Sequence, residues 1–330
     1  GALRMRSADA RGALEDFDRV RVLQPASSEN ASNRNRALLL LHRDAEALAA
    51  AEDAIRLDPG GARAWTGKGI ALASLGRIEA AQAALDRARE LDAKSPVRDA
   101  LSVYVSRAFE RQAVCDWRDR ARLVETLRTA LRDGRAGALS EPGVLIGALA
   151  LPLNESELHA LADAVAVAVR SRVAGLVLSP PALEAVANRR IRVGFLSPEF
   201  RTHTGGFVMR RMFVDRDRER FEYFAYALNP DDASALRREL RDSADRFVDV
   251  STWSDADIAA RIRADSVDIL LDRTGYFGGA RPEVLALHPA PIQAGFLGTP
   301  SSLGEGLLDY RLSDAWTTPR ESQPAWREKL

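Results

Sequence analysis

The chain has 330 residues, of which 46% are hydrophobic and 28% charged, with 47 basic side chains balanced by 47 acidic ones. That length supports two separately packed cores, and zero net charge gives no electrostatic reason to bind nucleic acid or an anionic membrane. The single cysteine, Cys115, excludes an internal disulfide and fits a reducing compartment, and no apolar run approaches the roughly 20 residues of a membrane span.

The opening GALRMRSADARG lacks the apolar core of a signal peptide and an initiator methionine, and the sequence stops at WREKL. It reads as a cytoplasmic protein cut at both ends.

Residues 1–95 repeat. Pro25 closes VLQP, Pro59 closes RLDP, and Ala93 closes ELDA in the same phase. Ala13, Ala47 and Ala81 share one position, as do Gly1, Asn35 and Gly69. The period is that of the tetratricopeptide repeat, about 34 residues. Its small residues let two antiparallel helices approach while large ones such as Trp65, Leu72 and Leu85 fill the gaps. Such arrays bury their faces by stacking and present a concave surface to extended peptides.

Residues 96–188, from Pro96 to Asn188, keep helical periodicity but lose that phase. AVCDWRDRARLVETLRTALRDG reads as one amphipathic helix ending at Gly134, and GRAGALSEPG as a loop. Cys115 and Trp117 read as core, since no second cysteine or nearby histidine offers a metal or a nucleophile pair.

Residues 189–330 alternate β-rich runs with helices. Strands are predicted at 192–197, 223–228, 246–251, 267–272, 291–298 and 308–314, and helices at 206–216, 233–243, 255–264 and 282–287. Strands separated by helices pair in parallel, which makes this part a doubly wound, Rossmann-like α/β domain. Ligands bind beyond the carboxyl ends of such strands. PEFRTHTGG, DRTGYFGGARPE and GTPSSLG leave three of those ends and are expected to converge.

Neither Gly-x-Gly-x-x-Gly nor a P-loop is present, which speaks against a dehydrogenase or an ATPase. DAD at 255–257 matches a metal-binding Asp-x-Asp, but Ser254 before it makes a helix cap the better reading. Asp231 and Asp232 read as another cap. With four scattered histidines, no metal site is predicted.

His203 is the catalytic candidate, because an imidazole moves protons at neutral pH; the other reading is a loop histidine bonded to backbone. Gly205 and Gly206 either offer amides to an anion at a helix start or simply turn the chain. Arg281 is either a ligand arm or a loop brace, and Tyr276 either stacks on a sugar or packs.

RIRVGFLSPEFRTH, YALNPDD, GYFGGARPEVLALHPAPIQAGFLGTPSSLG and LDYRLSD, preceded by VCDWRDR and the repeats, resemble the O-linked N-acetylglucosaminyltransferase and SPINDLY family. The resemblance covers nearly the whole chain. CDW at 115–117 and the GARPE to PAPIQ to LG element at 279–298 are its most specific parts. It implies a tetratricopeptide superhelix followed by the first of two Rossmann-like lobes of a GT-B fold, the second lobe following Leu330. It further implies an inverting, metal-free transfer of a sugar to Ser or Thr of intracellular proteins threaded along the repeats, with no cofactor beyond the nucleotide-sugar donor.

UDP-N-acetylglucosamine is the donor expected, with GDP-fucose the alternative; a non-catalytic repeat scaffold is the reading from another class. Carried over by position, His203 is the cleft histidine. Thr204, Gly205, Gly206, Gly275, Tyr276, Arg281, Gly298, Thr299 and Pro300 fall in substrate-binding elements. The chain departs from the family pattern at Thr274, Phe277, His288, Thr299 and Ser301, all at the cleft.

Overall fold

The computed structural model describes residues 1–7, 9–94, 99–176 and 189–330. The expected segment boundaries at residues 95, 96 and 188 lie outside them. The chain forms two compact units, Gly1–Thr126 and Leu127–Leu330.

The first unit is helical: α1 (Ala2–Arg6), α2 (Ala10–Leu23), α3 (Ser28–Leu40), α4 (Asp44–Leu57), α5 (Ala62–Ser74), α6 (Ile78–Leu91) and α7 (Ala100–Ala113). Helices α2, α4 and α6 begin at 10, 44 and 78 and end at 23, 57 and 91, so the repeat period of the sequence is the period of the structure. Ala13, Ala47 and Ala81 are fully buried at equivalent points. Opposite them, the Asn35 amide donates to the Ala47 carbonyl at 2.8 Å, and Gly69 sits where α5 packs closely on α6. A Cβ there would lie 2.5 Å from the Leu85 side chain. Gly69→Val is therefore expected to lower stability by about 1–3 kcal/mol, read from the denaturation midpoint of the helical unit.

Arg107 on α7 ties this stack together. It donates to Ser74 Oγ at 3.0 Å and the Leu39 carbonyl at 2.8 Å, and pairs with Asp44 at 2.8 Å. The chain then departs from the predicted single helix. Cys115 takes a left-handed conformation (φ 63°), α7 stops, and α8 (Arg120–Arg132) starts anew. Cys115 and Trp117 are exposed rather than core; Trp117 lies against the Arg120 guanidinium at 5.8 Å. Cys115 and Trp117 both lie on the turn between α7 and α8 rather than on a buried helix face.

In the second unit, part of the predicted loop after Gly134 winds into a 3-10 turn, Ala136–Leu139. Next come α9 (Pro142–Ala148) and α10 (Glu155–Val173), the latter started by a capping box between Asn154 and Glu157. The alternating part follows: β1 (Ile191–Ser197), α11 (Thr204–Val214), β2 (Phe221–Ala227), α12 (Ala235–Ser243), β3 (Arg246–Asp249), α13 (Asp255–Ala264), β4 (Ile269–Asp272), α14 (Pro282–Ala286), β5 (Ile292–Phe296) and β6 (Tyr310–Leu312). All pairings are parallel, in the order β3-β2-β1-β4-β5-β6. Under one face Phe195, Phe200, Phe213 and Tyr223 form an aromatic core, with ring centroids 4.8–5.9 Å apart.

Ser254 caps α13: its Oγ accepts the Asp257 amide at 3.1 Å. Ser234, not Asp231 or Asp232, caps α12; Asp232 instead accepts the Thr202 amide at 2.9 Å. Among the described residues no helix is long and apolar enough to cross a membrane.

Candidate active site

The strand order reverses between β1 and β4, and that crevice is where an open α/β sheet receives ligands. Loop 198–203 leaves β1 there, loop 273–281 leaves β4, and loop 297–304 leaves β5. They do converge, and they interlock where glycines admit close contact. Gly275 (φ 65°) leaves room for Thr299, whose Oγ1 would sit 2.4 Å from any Cβ; Gly298 (φ 71°) does the same for the Thr274 carbonyl carbon at 2.9 Å. Thr299 Oγ1 accepts the Tyr276 amide at 2.8 Å. Gly279 rests on Pro198, 3.0 Å from its would-be Cβ, joining the first loop to the second.

His203 stands at this edge as the residue just before α11. Its side chain is 43% exposed, and Nδ1 lies 3.2 Å from both the Gly205 amide nitrogen and Glu199 Oε1. Thr204 is exposed on the first turn of α11, and Gly205 and Gly206 are buried beneath it. Behind Glu199 lies Arg273, 2% exposed, with Nη2 at 3.5 Å from Glu199 Oε2. Burial pulls Arg273 below the usual arginine range, against the pull of the Glu199 charge.

Other candidates sit differently. Tyr276 is buried, and its hydroxyl donates to the Leu303 carbonyl at 2.6 Å, so the ring packs and offers no open face. Arg281 is a brace, paired with Asp255 at 2.6 Å and donating to the Trp253 carbonyl at 3.1 Å. Pro300 is exposed and Gly298 half-buried. Among the positions that depart from the family pattern, Thr274 is buried, Phe277 projects outward, and His288 (φ 43°) bonds the Gly306 carbonyl through Nε2 at 3.0 Å. In the first unit, Ser32, Asn35, Arg36, Leu39, Arg63 and Thr66 line a separate groove of about 440 Å³ on α3 and α5.

The sequence profile of glycosyl transferase family 41 matches residues 114–330, and a tetratricopeptide profile matches residues 38–103. The chain belongs to glycosyl transferase family 41. Over 226 residues it is 30% identical to the probable UDP-N-acetylglucosamine–peptide N-acetylglucosaminyltransferase SEC of Arabidopsis thaliana, covering 66% of this chain and 23% of that protein. Over 234 residues it is 32% identical to the UDP-N-acetylglucosamine–peptide N-acetylglucosaminyltransferase of Caenorhabditis elegans, covering 66% and 20%. A solved structure of a Thermobaculum terrenum O-GlcNAc transferase mutant shares the fold, with a TM-score of 0.53 at 24% identity over 100% of this chain and 55% of that one. The chain thus spans about a fifth of the length of the curated relatives it matches.

Two parts of this family 41 site have no motif of their own. One is the Glu199–Arg273 pair, whose members are 74 positions apart and meet only because β1 and β4 are neighbours. The other is Asp272, sealed at the end of β4, where desolvation pushes its carboxyl up to about 6 despite hydrogen bonds from the Gly275 and Thr274 amides. An unfolded Asp titrates near 3.9, so between about pH 4 and 6 the folded state holds a proton that the unfolded state has released. Stability from this group therefore falls as pH rises through that window, by roughly 2–3 kcal/mol. Asp272→Asn keeps an acceptor for one of the two amides, cannot ionise, and is expected to remove this component. Urea denaturation of the two proteins from pH 4 to 7 checks it, with the variant gaining on the native protein as pH rises.

Proposed function

We propose that this chain carries the repeat array and the acceptor-side lobe of a protein O-glycosyltransferase, which moves N-acetylglucosamine from UDP to Ser or Thr side chains with inversion and without a metal. One observation supports this most directly: a half-exposed imidazole stands on the rim of three interlocked loops, at the switch point of a family 41 lobe. In this reading the acceptor hydroxyl attacks the anomeric carbon from the side opposite the diphosphate. Its O–H bond breaks towards His203 Nε2, and the electron pair of the old glycosidic bond leaves with the diphosphate. The groove on α3 and α5, where Asn35, Arg36, Arg63 and Thr66 stand beside apolar surface, suits an extended acceptor peptide.

The test is to incubate the full-length protein with labelled UDP-N-acetylglucosamine and, separately, GDP-fucose, and to seek modified peptides by mass spectrometry. Transfer from the UDP sugar is expected. Transfer only from GDP-fucose would change the donor, and neither transfer nor nucleotide binding would leave a repeat scaffold. The 330-residue chain alone is expected not to turn over, because the reading assigns most of the nucleotide site to a second lobe.

A further inference from the structure

His203 Nδ1 has two neighbours with opposite demands. The Gly205 N–H, 3.2 Å away, needs a lone pair on Nδ1, whereas Glu199 Oε1, also at 3.2 Å, needs a proton there. One nitrogen cannot satisfy both. The outcome decides what Nε2 shows to the open edge: with Nδ1 bare, Nε2 carries the proton and only donates; with Nδ1 protonated, Nε2 holds a lone pair and accepts.

We propose that Glu199, held by the buried Arg273, takes the Nδ1 proton in a hydrogen bond and so sets His203 in the tautomer whose Nε2 is an acceptor. This makes Glu199 and Arg273 positioning residues, and it rests on the reading of the cleft given above.

Three features carry it. Arg273 is almost fully enclosed, its Nε and Nη1 have no hydrogen-bond partner, and Glu199 is the carboxylate its Nη2 reaches. A buried guanidinium needs an anion beside it, and the Nη2 contact at 3.5 Å holds the Glu199 carboxylate in place. An ionised carboxylate against a bare imidazole lone pair is repulsive, while a hydrogen bond to a charged acceptor is roughly twice as strong as a neutral one. The Gly205 amide that loses its partner lies at a helix start, beside the same carboxylate. Finally, Glu199 occupies the space of a missing side chain: a Cβ on Gly205 would lie 1.7 Å from Glu199 Oε2. Only glycine leaves the carboxylate room to reach the ring. Asp232, on the next loop, is committed to the Thr202 amide. When Nε2 accepts a proton, the imidazolium then forms beside a fixed negative charge, and no proton has to move on to Glu199.

The test needs no substrate. The 330-residue chain is labelled with 15N-histidine, His203 is assigned by its loss in His203→Ala, and its two ring nitrogens are observed at a pH where the ring is neutral. The native protein is expected to show protonated Nδ1 and bare Nε2 as the major form. Glu199→Ala, and independently Gly205→Ala, should invert that ratio, leaving Nδ1 to accept from the helix amides. Gly205→Ala displaces only the flexible tip of Glu199, so it should keep its fold even where a charge deletion does not. Protonated Nε2 in the native protein, or an unchanged ratio in the folded variants, overturns the proposal. In the full-length protein both variants should lower kcat with little change in KM. Absence of transfer by the native full-length protein would count against the function and leave the tautomer result to be judged alone.

Discussion

Replacing His203 with alanine in the full-length protein is expected to lower kcat for sugar transfer about 10²–10⁴-fold, the usual worth of a positioned acid–base group. KM for the donor should change little, since the loss falls on proton transfer rather than binding. His203 also stands at the N-cap position of α11 and bonds Glu199 through Nδ1 at 3.2 Å, so alanine is expected to cost about 0.5–1.5 kcal/mol of stability as well. His203→Asn separates the two effects, because asparagine caps a helix and does not take up a proton at neutral pH. It should lose the rate and keep the stability. Steady-state kinetics beside thermal denaturation reads both, and unchanged kcat in either variant would return His203 to a structural role.

The second large effect is structural. Arg237 on α12 is 2% exposed; it donates to the Phe200 carbonyl at 2.9 Å and the Asn229 carbonyl at 3.3 Å, and pairs with Asp249 at 2.7 Å. Its guanidinium also lies over the Phe247 ring at 5.2 Å. The loop carrying Glu199 and His203 therefore hangs from a buried cation contributed by the next helix but one strand. Arg237→Met fills much of the volume but leaves the Asn229 carbonyl without a donor, the Phe200 carbonyl with only the Asn229 amide at 3.3 Å, and Asp249 without its cation, so about 3–5 kcal/mol of destabilisation is expected. A urea titration followed by circular dichroism measures it, and a change below about 1 kcal/mol would show that water replaces the side chain.

Much of this architecture is legible in the sequence, for reasons that differ along the chain. The repeat helices are, because a fixed spacing of alanine and proline is itself the packing rule. The six strands are, because β-rich runs between helices leave little choice of topology. Ser254 is legible as a cap because the signal lies within three residues of its effect. CDW is not, because the turn at Cys115 comes from a left-handed conformation in a residue that seldom adopts one. Nor is the Glu199–Arg273 pair, since neither residue has a local pattern and their meeting depends on strand order. Tyr276 looks like a sugar platform in one dimension; in three, Thr299 and Leu303 enclose it.

The interlocking of the three rim loops bears on how such a site can diverge. Gly275 abuts the Thr299 side chain, Gly279 the Pro198 ring and Gly298 the backbone of Thr274, so altering any of them disturbs all three loops together. Inherited change is thereby channelled to the protruding tips, where Phe277 and Leu297 are open to solvent. A lineage can exchange those side chains one at a time without renegotiating the frame beneath them. A deep mutational scan of this edge should accordingly show islands of tolerance standing on an intolerant stem.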